Sequence, residues 1–151
     1  MGDVFLMFPG YFIPGLVAFL IGHLFYIAAF RRGVPWLPSR RALGMTLGIG
    51  GTMYTVLWFG GLPAALRIPV AAYVVVIALM AAQAIGRAAV LRRGPSARAA
   101  LGVAVGAGFF MLSDSLLAWD RFGGGFPLAQ PLILSTYWFA QWCIARSVQA
   151  R

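Results

Sequence analysis

Acidic residues are nearly missing from this sequence: it has no glutamate, and its only acids are Asp3, Asp114 and Asp120. It also has a single histidine, His23, and a single cysteine, Cys143. A catalytic zinc centre takes three protein ligands and a closed structural one takes four, so this inventory argues against metal hydrolysis and no metal site is expected. One cysteine excludes an intrachain disulfide and leaves the redox compartment open. Cys143 lies in an apolar run and is expected as a small buried hydrophobe. A serine triad would need His23 to serve Ser113 or Ser115 with an acid behind it, and no spacing here supports that. A phosphate-cradling loop of Walker type is absent, and no cofactor is expected.

Charge of either sign is scarce. Only 10% of the 151 residues are charged, against about a quarter in a soluble domain. Hydrophobic residues make up 62% and the mean hydropathy is +0.87, more apolar surface than a water-soluble core of this length can use. What is there instead is a series of charge-free runs, 4–30, 42–66, 68–86, 99–113 and 122–145. Each supplies all or nearly all of the roughly 20 residues that cross a hydrocarbon core. The expectation is an all-α, polytopic transmembrane bundle forming one domain over 1–151. Its five spanning helices fall near 11–30, 42–60, 68–87, 99–119 and 129–147, with a partial helix ahead of them.

The net charge of +9 would suggest nucleic acid if the arginines formed one patch, but they sit at the ends of the apolar runs. There arginine anchors helices in headgroups, and nucleic acid is not an expected partner. Arg31, Arg32, Arg40 and Arg41 share one connection and Arg87, Arg92, Arg93 and Arg98 another, whereas the alternate connections hold only Arg67 and Arg121. With Arg146 and Arg151 at the end, this alternation places the 31–41 loop, the 88–98 loop and the C-terminus in the cytoplasm of a bacterial-type plasma membrane. Oligomeric state is not legible.

Glycine and proline punctuate the short connections, as in Gly33-Val34-Pro35 and Gly60-Gly61-Leu62-Pro63. Gly44 with Gly48, and Gly102 with Gly106, have the small-xxx-small spacing that lets helix backbones approach, and plain packing is expected of both pairs. Residues 1–8 read as the tail of a helix, since eight residues at about 1.5 Å each reach only ~12 Å. The expectation is that its beginning is absent from the sequence. No cleaved signal peptide is expected, and Leu6 stands where a myristoylation signal wants Ser or Thr.

In a bilayer the informative residues are ionisable ones at depth, because a carboxylate there costs several kcal/mol unless paired, hydrated or protonated. Asp120 adjoins Arg121 at a helix end and is expected to be solvated. Asp114 lies six residues before Asp120, and Asp3 six before Pro9, each about 9 Å inside the same boundary. Two acids at matched depth suggest one site for general acid–base work. His23 and Tyr26 share a helix face, as do Tyr137 and Gln141, so each pair can present a polar stripe to the interior. These four, with Ser113 beside Asp114, are the expected substrate-binding residues. Tyr54 and Tyr73 are expected to be packing or interface aromatics.

Four spaced segments carry a resemblance: Gly2-Asp3-Val4-Phe5-Leu6-Met7; the run from Phe19 through Gly22, His23 and Tyr26 to Ile27; Gly106-Ala107-Gly108-Phe109-Phe110-Met111-Leu112-Ser113-Asp114-Ser115; and Thr136-Tyr137-Trp138-Phe139-Ala140-Gln141. In that order they resemble the YhhN-type family of membrane lysoplasmalogenases, over essentially the whole chain. Family members usually carry further transmembrane helices ahead of the Gly-Asp motif, where this sequence begins. The resemblance implies hydrolysis of the vinyl ether bond of a lysoplasmalogen, a membrane lipid. The products would be a fatty aldehyde and glycerophosphoethanolamine or glycerophosphocholine, with Asp3 and Asp114 as the catalytic pair. Two other readings stay open from the residues alone: a non-enzymatic membrane protein or small transporter using the aspartates as a proton relay, and an inactive fragment of the enzyme.

Overall fold

The computed structural model describes residues 11–149, so Asp3 and the partial helix expected over 1–8 lie outside the described residues. Five helices follow in order: α1 Phe12–Phe30, α2 Arg40–Phe59, α3 Ala64–Leu91, α4 Ala97–Phe122 and α5 Ala129–Gln149. All five expected spans are helices. α3 and α4 run several residues past the apolar limits, because charge-free runs mark only the portion inside hydrocarbon while backbone hydrogen bonding continues into the headgroup region. α1 to α4 are each long and apolar enough to cross a membrane. α5 has the length, at 21 residues, but Gln130, Ser135, Thr136 and Gln141 make it more polar.

Many large apolar side chains point outward, among them Phe59 (84% exposed), Ile68 (82%) and Phe25 (72%), a surface suited to lipid rather than water. Together with the apolar spans, they make this an integral membrane protein whose outer surface faces lipid.

α3 is the hub. It packs against α1, α2 and α4, while α5 packs on α4 and α2 touches α4 only slightly. Small residues set these distances. A Cβ on Gly106 of α4 would lie 2.8 Å from the Ala140 carbonyl oxygen of α5, and one on Gly50 of α2 would lie 2.9 Å from Val74 of α3. Gly102 also faces α5, where an added Cβ would stand 3.5 Å from the Cys143 carbonyl oxygen, so the Gly102/Gly106 pair packs as expected. Gly44 and Gly48 do not: a Cβ on either meets nothing within 4 Å among the described residues. The contact with α3 is made through Gly50 instead, because that face of α2 is the one turned inward. Cys143 is buried, as expected.

Gln83 and Arg87, one turn apart on α3, fasten the connection between α1 and α2. Gln83 is fully buried; its Oε1 accepts from the Leu37 N–H at 2.7 Å and its Nε2 donates to the Pro35 carbonyl at 3.1 Å. Arg87 donates to the carbonyls of Phe30, at 3.2 Å, and Arg32, satisfying acceptors that the end of α1 leaves open. Leu37 has a positive φ of 44°, a conformation L side chains avoid, and the Gln83 bond holds it there. Between these two residues, Gly86 lets the connection press close, since a Cβ there would stand 2.8 Å from Pro38. At the start of α2, Ser39 caps the helix by accepting from Ala42 N–H at 3.2 Å.

Candidate active site

Asp114 sits on α4 eight residues before its last residue, Phe122, and is partly buried. Across from it, Tyr73 of α3 is only 8% exposed and donates its hydroxyl hydrogen to the Asp114 carboxyl oxygen Oδ2. Tyr73 packs in the core, as expected, and its hydroxyl adds a polar contact that was not expected. A buried phenol hydroxyl needs a polar partner, and the facing helix offers the carboxyl. Tyr73 is the one side chain with a polar hydrogen between Arg67 and Gln83, which marks the residue but not its partner.

Both side chains line a cavity of about 70 Å³ between α1, α2, α3 and α4, enough for several waters. Its other walls are almost wholly apolar, with Phe12 and Phe19 of α1, Met53 and Leu57 of α2, Ile77 of α3 and Phe122 of α4 among them. Asp114 is thus an acid set among hydrocarbon, with Tyr73 and Ser115 as neighbouring hydroxyls on the lining. Ser115 also bonds back to the Met111 carbonyl at 2.8 Å. A lateral groove of about 580 Å³ between α2 and α4, walled by Gly44, Gly48, Thr52 and Trp119, shares Met53 and Ser115 with this cavity.

The remaining expected residues are distributed differently. His23 is buried behind Tyr73, its ring edge-on to Tyr73 at 5.4 Å and to Phe110 at 4.8 Å between centroids. Its Nδ1 is 2.5 Å from the Phe19 carbonyl, and its Nε2 is buried with no hydrogen-bond partner among the described residues. Tyr137 of α5 packs edge-on against Phe19, at 6.0 Å, and Phe110, at 5.4 Å. Tyr26 donates to Gln141 Oε1 at 2.8 Å, so the two polar stripes do meet, and they do so across α1 and α5. Tyr26 lines a separate cavity of about 140 Å³ with Arg87, Ser96 and Ser147 at the other end of the bundle. Ser113 is buried and donates to the Ile133 carbonyl at 3.0 Å, tying α4 to α5. The fold brings His23 to Tyr73 and Tyr73 to Asp114, whereas none of His23, Tyr26, Ser113, Tyr137 or Gln141 lies on the described wall of the Asp114 cavity.

The chain is 33% identical over 147 residues to lysoplasmalogenase TMEM86B of Homo sapiens, covering 97% of this chain and 58% of that protein. It is 35% identical over 150 residues to lysoplasmalogenase TMEM86A of Homo sapiens, covering 97% and 60%. Lysoplasmalogenase TMEM86B of Mus musculus is 36% identical over 141 residues, covering 93% and 55%. The chain thus spans about three fifths of the length of the curated relatives it matches. No solved structure matches it. The YhhN family model matches residues 1–148, taking in all the helices that build the Asp114 cavity, and the chain belongs to the YhhN family.

Proposed function

We propose that this chain is a lysoplasmalogenase-type hydrolase that cleaves the vinyl ether bond of a lysoplasmalogen within the membrane. The observation that carries the reading is Asp114, held by Tyr73 at the edge of an otherwise apolar cavity. The names of the relatives support it, since they are lysoplasmalogenases.

Vinyl ether hydrolysis begins when a proton is delivered to the alkene carbon remote from oxygen, leaving an oxocarbenium ion. Water adds to the cationic carbon and gives up a proton. The resulting hemiacetal then breaks its bond to the glycerol oxygen, releasing a fatty aldehyde and a glycerophosphoethanolamine or glycerophosphocholine. One water is consumed and the acid that gave the first proton is restored. The reaction needs a carboxylic acid to donate and a carboxylate to stabilise the cation or take the proton from water. Asp114 supplies one of these groups and Asp3 the other. Tyr73 holds the Asp114 carboxyl in a fixed orientation, which keeps a proton-transferring group in line with its target.

The cavity has room for the attacking water, and its apolar walls suit an alkenyl chain. The groove between α2 and α4 offers the chain a route from the lipid, because it adjoins the cavity at Met53 and Ser115. In this reading the arginine-rich connections and the C-terminus lie in the cytoplasm, so Asp114 works from the opposite side of the membrane. The deciding experiment is aldehyde release from lysoplasmalogen by the purified protein in proteoliposomes. Release that is absent at any protein level sinks the proposal, and release unchanged in Asp114→Asn removes Asp114 from the chemistry.

A further inference from the structure

Where α1 begins and α4 ends, Phe12 and Phe122 meet edge to face at 5.4 Å between centroids, and both line the cavity. The guanidinium carbon of Arg121 lies 5.0 Å from the centre of the Phe12 ring. Arg121 is exposed, and among the described residues its guanidinium makes no hydrogen bond or ion pair. It follows Asp114 by seven residues on the uninterrupted helix α4. That spacing sets it ~10.5 Å further along the axis and, after nearly two full turns, on the same face.

We propose that Arg121 is the phosphate anchor for a lysophospholipid whose double bond lies at Asp114, an assignment that rests on the vinyl ether reading above. Five covalent bonds separate the ether oxygen from phosphorus in a glycerophospholipid, an extended span of ~6 Å at about 1.5 Å per bond with its angles. One P–O bond and an N–H···O hydrogen bond of about 2.9 Å extend the reach to roughly 10 Å. The axial spacing from Asp114 to Arg121 is the same length. A lipid anchored by its phosphate on Arg121 therefore brings its vinyl ether to the carboxyl, with the hydrocarbon continuing toward the bilayer centre.

A guanidinium suits this task because it stays charged and grips two phosphate oxygens at once. Because phosphate is common to ethanolamine and choline head groups, Arg121 selects the phospholipid class without choosing between them. The other arginine on this side, Arg67, is turned away from the Asp114 cavity. Its guanidinium stacks on Trp58 at 4.0 Å and faces a groove between α2 and α3.

The test compares wild type, Arg121→Gln, Arg121→Lys and Arg67→Gln in proteoliposomes, on lysoplasmalogen and on a 1-alkenylglycerol that lacks the phosphate. Arg121→Gln should raise KM for lysoplasmalogen about 10- to 100-fold, with kcat held within a few fold and no change on alkenylglycerol. Arg121→Lys should recover part of the loss, and Arg67→Gln should match wild type. An unchanged KM, or an equal loss on both substrates, overturns the assignment. Binding of a saturated 1-alkyl lysophosphocholine, which cannot be hydrolysed by this route, provides an arm independent of turnover. It should weaken by a similar factor in Arg121→Gln and resist millimolar inorganic phosphate. Displacement by inorganic phosphate would mark a free-anion site and overturn the lipid assignment. If wild type releases no aldehyde, the hydrolase proposal fails and this binding arm alone decides whether Arg121 holds the phosphate.

Discussion

Tyr73 on α3 and Asp114 on α4 are joined by a hydrogen bond that crosses the bundle inside the membrane, the phenol donating to the carboxyl. Both partners line one cavity, so the bond holds two helices in register and fixes the acid at once.

Asp114→Asn should abolish aldehyde release while the protein still inserts and folds, because asparagine keeps the shape but cannot lend or accept the proton. A general acid or base contributes about 10²–10⁴-fold, more than a packing change at constant protein level. Asp120→Asn at the helix end is the matched control and should retain activity. Near-normal release from Asp114→Asn would mean that another group moves the proton.

Tyr73→Phe removes only the hydroxyl. A hydrogen bond to a charged group is worth roughly 1.5–3 kcal/mol, so kcat should fall about 10- to 100-fold. KM should hold, since the ring still fills its place. An equal loss in every folding assay, with kcat per folded molecule intact, would reduce Tyr73 to a structural strut.

Gln83→Leu should destabilise the protein without altering its chemistry. The substitution strands the Leu37 N–H and the Pro35 carbonyl, each at a cost of about 1–3 kcal/mol if it stays dry. The midpoint of thermal unfolding in detergent should drop, with activity per folded molecule preserved. An unshifted midpoint would show that water replaces the glutamine.

Two glycines of similar spacing should respond oppositely. Gly106→Leu drives a side chain into the Ala140 carbonyl and Ile144 of α5, and overpacking of this kind costs about 1–3 kcal/mol or more. Gly48→Leu meets open space among the described residues and should leave the unfolding midpoint unchanged. Equal midpoints for the two variants would contradict the α4–α5 contact.

Orientation is open to cysteine labelling, since the native Cys143 is buried and gives little background. In intact cells an impermeant maleimide should modify Leu128→Cys, which is 73% exposed in the α4–α5 connection, and spare Ser96→Cys. The reverse pattern would invert the topology.

The helices were legible because a bilayer leaves backbone groups no partner except one another, so apolar length alone specifies them. Asp114 was legible for a related reason: a carboxyl about two turns inside a helix end has no ordinary excuse to be there. Tyr73 was not, because a tyrosine in an apolar helix looks the same whether its hydroxyl reaches an interface or an acid on another helix. Gln83 escaped notice likewise, its partners being backbone groups of a loop some 46 residues away in sequence. The glycine pairs divide on the same point. Spacing tells that a face is smooth, and only the partner helix decides whether the smooth face is used. Asp3, read from its depth and from the family resemblance, lies outside the described residues.

The central place of α3 has a consequence for how the bundle is made. The backbones of α1 and α2 do not approach one another closely, and each packs on α3. Ribosomes deliver the chain from its N-terminus, so both helices enter the bilayer before the surface that will receive them exists. They must wait as separate spans among lipids, joined by a connection whose fastening residues, Gln83 and Arg87, lie in the last third of α3. Assembly therefore proceeds outward from the third helix, and a chain interrupted before residue 83 has spans in the membrane but nothing to lock their connection.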